Sequence, residues 1–195
     1  LISKIIANKV LDTTFQGKSP LITIYFDDST CSGYLKKSAI SDELADRWFG
    51  VYHGDKLVLN LVEIAYLMLL PNSNVIVNSS QGSEIRRVDE LVEKYGNCFD
   101  KYFWPMLAVF KDLRERGRRV RVLGPCKLLV KDKSGDLRLV YVLEEKLDVN
   151  MRSFQEIVNE AYRNNFKAAL AIVSLQGELT YYDIVPADIR AGKSD

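Results

Sequence analysis

Residues Phe166–Ile184 read FKAALAIVSLQGELTYYDI. Two runs of apolar and β-branched residues flank Gln176-Gly177-Glu178, the pattern of a tight hairpin joining two strands, the first buried on both faces. Lys167 stands at the mouth of the first strand, directly after a segment in which Ile157, Val158, Ala161 and Tyr162 form a helical stripe. Ser153 followed by Glu156 has the form of a capping box and is expected to open that helix. The order helix, lysine, buried strand, glycine turn, aromatic strand describes an α+β domain.

Upstream of this unit, Lys127–Lys131 and Leu137–Glu144 predict two strands separated by the turn Lys133-Ser134-Gly135-Asp136. Arg118–Leu123 predicts another, cut off by Gly124-Pro125. Before it lies a helix with Asp100 as its cap, Pro105 near its first turn and Gly117 closing it. Tyr102, Phe103, Met106, Leu107, Phe110 and Leu113 give that helix its apolar face.

The first half has the same mixed character. Strand material runs from Leu1 to about Phe26, with a break at Gly17–Pro20 that suits a hairpin. Ser41-Asp-Glu-Leu reads as a short helix with Ser41 as N-cap, ended by Gly50. A strand at Asp55–Leu59 leads to Asn60, which with Glu63 approximates a capping box before the apolar run LVEIAYLML, ended by Pro71. A strand at Asn74–Asn78 and a charged helix at about Arg87–Lys94 complete this half. A boundary at Tyr95–Asp100 divides the chain into residues 1–96, 97–188 and a short tail, 189–195.

The chain has 195 residues, of which 47% are hydrophobic and 27% charged, with a net charge of +1, so a folded globular protein is expected rather than a disordered or membrane-spanning one. Leu1–Val10 lacks the length and cleavage site of a signal peptide, and a cytoplasmic location is expected. Cys31, Cys98 and Cys126 are widely spaced, which predicts buried or half-buried free thiols rather than disulfides or a metal site. The single histidine, His53, lies in a turn far from any nucleophile, which argues against a zinc site and a Ser-His or Cys-His hydrolase. Six Lys or Arg fall between Lys111 and Arg121, and Arg116, Arg118, Arg119 and Arg121 are candidate phosphate contacts, the alternative being a solvated helix end whose cations complement the helix dipole.

Three collinear stretches resemble the archaeal tRNA-splicing endonuclease family. GVYHGDKLVLNLVEIAYLML (Gly50–Leu69) is similar to its glycine-bearing strand and Glu-Ala-x-Tyr-Leu helix. FKDLRERGRRVRV (Phe110–Val122) is similar to the junction that opens its nuclease domain, and Thr180-Tyr181-Tyr182-Asp183 to its close. The resemblance implies a small N-terminal α+β domain followed by a nuclease-like domain with a central mixed sheet flanked by helices. It also implies metal-independent cleavage of precursor tRNA, leaving 2′,3′-cyclic phosphate and 5′-hydroxyl ends, with no cofactor.

That chemistry uses a tyrosine base, a histidine acid and a lysine that stabilises phosphate charge. Lys167 matches the lysine, but Lys131 stands at the tyrosine position and Arg138 at the histidine position. Losing an acid or base forfeits roughly 10²- to 10⁴-fold in rate for each. The expectation is therefore a non-catalytic, structural subunit of a heterotetramer with two of each chain, working on precursor tRNA beside a catalytic subunit. Glu178, Leu179, Tyr181, Tyr182 and Ile184 are expected at the subunit interface. The alternatives are a catalytic subunit whose site pairs Lys167 with Tyr141, and a free-standing RNA-binding or adaptor protein of the same fold.

Overall fold

The computed structural model describes residues 20–80, 82–145 and 151–185. The strand and hairpin expected before Pro20 and the expected tail lie outside these residues. The first sheet comprises β1 (Ile22–Asp27), β2 (Ser32–Lys36), β3 (Val51–His53), β4 (Lys56–Asn60), β5 (Val75–Asn78) and β6 (Glu84–Ile85), in the order β3-β4-β2-β1-β5-β6. It is mixed, because β1 runs parallel to β5 while the other neighbours are antiparallel.

Helix α1 (Ala39–Asp46) starts earlier than the sequence suggested. Ser38, extended at φ −165°, is the N-cap, and Ser41 sits inside the first turn, where its hydroxyl closes the capping box by accepting the Ser38 N–H. Gly50 follows at φ +60°, where an added Cβ would lie 2.5 Å from the Val58 carbonyl oxygen, so only glycine fits this approach to β4.

The Asn60 box is observed as expected. Asn60 Oδ1 accepts the Val62 N–H at 2.9 Å, and Glu63 Oε2 accepts the Asn60 N–H at 2.9 Å, starting α2 (Leu61–Leu69). Seven consecutive residues of α2, Leu61–Leu67, are buried, which is why the segment shows no polar face. After α3 (Val88–Lys94), a 3-10 turn at Gly96–Cys98 leads into the second half.

Two of the three cysteines are not the free thiols expected from their spacing. Cys31, in the β1–β2 turn, and Cys98, in the 3-10 turn, form a disulfide with a Cα–Cα distance of 5.3 Å across 67 residues of sequence. Sequence spacing carries no sign of it, because the fold alone sets that turn against the connector. Cys126 is free and buried, and burial pushes its thiol up to about 11.

The second half contains α4 (Phe103–Glu115), β7 (Arg119–Gly124), β8 (Lys127–Lys131), β9 (Leu137–Glu144), α5 (Met151–Arg163), β10 (Lys167–Val173) and β11 (Leu179–Ile184). Its sheet has the order β11-β10-β9-β8-β7, with only β9 and β10 parallel, joined by the α5 crossover. The helix is already under way at Met151, so Ser153 lies within it and is not its N-cap. Gly177 takes φ +85° in the turn between β10 and β11.

Helix α4 covers one face of this sheet, with Leu107, Phe110 and Leu113 in one buried cluster with Val130, Val140 and Ala169. The other face is covered by α5, where Ala161 packs with Leu139 and Ala168. The same α4 cluster reaches the first half. The Tyr66 and Phe110 rings meet edge to face at 5.3 Å, and both lie beside Phe49. Arg114 closes the seam, donating to the carbonyl oxygens of Arg47 (2.5 Å), Trp48 (2.9 Å) and Val120 (2.5 Å). The architecture is mixed α+β, as predicted.

Candidate functional site

Three strands end together at one rim of the second sheet. β8 stops at Lys131, β9 begins at Leu137 and β10 begins at Lys167. The β8–β9 turn is tied by Asp132, whose Oδ1 accepts from the Ser134 N–H (3.0 Å), the Ser134 hydroxyl (2.6 Å) and the Asp136 N–H (3.0 Å). These bonds hold the Asp132 carboxyl below its ordinary range. They also aim Asp136 at the sheet end.

Cross-strand register fixes which side chains share a face. Arg138 pairs with Val130 on one side and Lys167 on the other, so both cations stand on the α4 face. Each has its own carboxylate. Lys167 Nζ donates to Asp136 Oδ2 at 2.6 Å, a bond that raises the lysine pKa, and Arg138 Nη1 donates to Asp183 Oδ1 of β11. Lys131 pairs with Leu137 and therefore points to the opposite face, where its Nζ lies 5.9 Å from the Trp48 ring centroid.

A cavity of about 170 Å³ opens on the α4 face beside this rim. Val130, Val140 and Ala169 form its floor, and Arg116, Arg118, Arg138, Asp132 and Tyr181 are among its walls. Asp112 of α4 accepts from Arg116 Nε at 2.9 Å and from the Tyr181 hydroxyl at 2.7 Å. Burial, then the Asp112 carboxylate, pushes the Tyr181 pKa far up, so this phenol stays protonated and makes a poor base.

The sequence-predicted residues separate into distinct places. Arg116 and Arg118 line the cavity, whereas Arg121 shares the opposite face with Leu129, its guanidinium 5.3 Å from the Trp48 ring, and Arg119 is exposed opposite Lys131. Tyr141 is buried and pairs with Leu170, not with Lys167; its ring lies near Phe154 under α5. The structure does not bring Tyr141 and Lys167 together. His53 lies in β3, in the other sheet.

Of the expected interface residues, Tyr182 is exposed (52%), Glu178 is exposed, and Leu179 and Ile184 are half-buried. Tyr181 instead turns inward to Asp112. β11 is an edge strand, with no further strand beside it among the described residues.

The fold and the site together define a two-sheet α+β protein with a cation-lined cavity at its strand ends. Residues 103–181 match the family model for the catalytic C-terminal domain of tRNA intron endonuclease. The chain is also 30% identical over 155 residues to a tRNA-splicing endonuclease of Pyrococcus horikoshii, covering 76% of this chain and 87% of the relative. A tRNA-splicing endonuclease of Pyrococcus abyssi is 30% identical over 156 residues, with the same coverage. The chain belongs to the tRNA-splicing endonuclease family.

Sequence reasoning did not find the Tyr181–Asp112 bond, the carboxylates that close Lys167 and Arg138, or the cation-flanked ring of Trp48. The Asp112–Tyr181 pair spans 69 residues and the Arg138–Asp183 pair 45. No local pattern encodes such distances. The one usable signal was the density of arginine before and within β7.

Proposed function

We propose that this chain is the structural, non-catalytic subunit of a heteromeric tRNA-splicing endonuclease, assembling two of each chain with a catalytic relative in the cytoplasm to excise introns from precursor tRNA. The observation that carries the reading is the composition of the strand-end site. Arg138 and Lys167 face each other there, the chain's one histidine is in the other sheet, and the tyrosine at the cavity, Tyr181, is held protonated. An arginine at the acid position does not give up its proton near neutral pH. Lys131, at the base position, points away from the other two.

Assembly fits the edge strand β11, whose exposed Tyr182 and backbone edge, unpaired among the described residues, suit strand pairing with a partner's counterpart. The turn before β11 has Glu178 as its only carboxylate, so an acidic docking turn of the family type is assigned to the partner. The division near Tyr95–Asp100 makes residues 97–188 the endonuclease-like domain. A second reading, a catalytic subunit, rests on Lys167 occupying the family lysine position.

The test incubates precursor tRNA with this chain alone, with a catalytic partner alone and with both, following assembly by size and cleavage by product end groups. Cleavage only in the presence of both supports the proposal. Cleavage by this chain alone overturns it, and failure to co-assemble favours a free-standing RNA-binding protein.

A further inference from the structure

We propose that the cavity walled by Arg116, Arg118 and Arg138 is a phosphate-binding site that grips one phosphodiester of an RNA strand without cutting it. The inference rests on the non-catalytic reading above and adds a ligand to the site. Three guanidiniums, drawn from the end of α4, the start of β7 and the start of β9, line one space of about 170 Å³. That is room for a tetrahedral phosphate with part of its sugar.

The donor supply exceeds local demand. A guanidinium carries five N–H groups, more than one carboxylate contact occupies. Arg116 uses Nε on Asp112, Arg138 uses Nη1 on Asp183, and Arg118 reaches Asp132 only at 3.7 Å. Asp132, the one carboxylate in the wall, spends its Oδ1 on its own turn. The Asp183 carboxylate is 70% exposed, so water can solvate it when Arg138 turns to an anion.

Two further features favour an anion. The apolar floor of Val130, Val140 and Ala169 keeps bulk water from one side, which strengthens charge-assisted bonds within the cavity. The N–H groups of Arg116, Gly117 and Arg118 donate to the carbonyls of Asp112, Arg114 and Leu113, which weakens the negative end of the α4 dipole, and the three guanidinium charges outweigh what remains. The site thus holds a phosphate and lacks the groups to activate its neighbouring hydroxyl.

The experiment uses the full chain and three probes: inorganic phosphate, a single-stranded RNA 12-mer, and the catalytic partner. Wild type is compared with Arg118→Gln/Arg138→Gln, both half-exposed positions, with thermal melting as the fold control. We expect the double variant to bind the 12-mer about tenfold or more weakly, with the salt slope of binding reduced by roughly 1 to 2, and to assemble with the partner unchanged. Millimolar phosphate should compete with the 12-mer for wild type, and this arm decides the matter if the variant melts early.

RNA affinity within twofold of wild type, or no competition by phosphate, overturns the inference. Phosphate binding without RNA binding also overturns it, as a free-anion site. Loss of assembly with RNA affinity retained overturns it in favour of a protein carboxylate as the ligand. Cleavage by this chain alone would sink the non-catalytic reading instead, which is a separate result from any of these.

Discussion

Arg138 and Lys167 are cross-strand neighbours in the parallel β9–β10 ladder, and each is closed by its own carboxylate, Asp183 for the arginine and Asp136 for the lysine. Two cations set side by side on one sheet face repel, and the carboxylates relieve that repulsion from opposite directions. The pairing makes Lys167 part of a solvent-facing ion pair that ties the β8–β9 turn to β10.

Lys167→Ala, introduced into a reconstituted complex, should therefore leave precursor cleavage within about threefold of the unmodified complex, well inside the 10²-fold or greater loss typical of a removed catalytic group. Single-turnover cleavage of a labelled precursor measures it. A loss of a hundredfold would return the lysine to the chemistry.

Arg114 holds the two halves together through the carbonyl groups of Arg47 and Trp48, bonds the Val120 carbonyl within its own half, and sets its guanidinium 4.0 Å from the Phe49 ring centroid. Burial depresses its pKa to about 10. Arg114→Met strands those carbonyls and should cost about 3 kcal/mol. Arg114→Lys should recover less than half, because one ammonium cannot span a planar fork of acceptors. Chemical denaturation of both variants measures the difference.

The Cys31–Cys98 link closes a loop of 67 residues, for which chain entropy gives a stabilisation of about 4 kcal/mol. Reduction, or Cys31→Ser, should lower the melting temperature by on the order of 10 °C. Thiol titration of the unfolded chain should find one reactive cysteine before reduction and three after. With its pKa lifted from 9.0 to about 11, Cys126 should react slowly in the folded chain. At pH 8 its thiolate fraction falls about a hundredfold, since the thiolate is the nucleophile.

Glu63 accepts N–H groups from Gly50 and Asn60 while almost fully buried, and desolvation, the largest influence, raises its pKa despite those bonds and the nearby Arg114 and Arg121 charges. The folded chain then binds the proton more tightly than the unfolded one. The contribution to stability is fully present below the unfolded value of about 4.3 and is lost as pH rises through the folded value. Relative to Glu63→Gln, wild type should lose stability across that window, as read by denaturation at stepped pH. A gain would show that the hydrogen bonds outweigh desolvation.

Local patterns carried much of the fold. The Asn60–Glu63 box, the turns at Gly117 and Gly177, and the short apolar runs of β8 and β9 all follow from short-range sterics and hydrogen bonding, so they are legible residue by residue. Ser38 and Ser41 show the limit of that legibility. Both are good caps, and the extended backbone at Ser38 decides between them. At Ser153 the same signature falls inside a helix already begun.

By itself the sequence determined the mixed α+β class, the order of the closing helix and hairpin, and the density of arginine near β7. Tertiary structure alone decided which arginines share a cavity, that Lys131 turns from Arg138 and Lys167, that Tyr181 bonds Asp112, and that Cys31 meets Cys98. The physical reason is range. Capping and periodicity act over three or four residues, whereas strand register and sheet face bring together groups 45 to 69 residues apart, and one step of register reverses which face each side chain occupies.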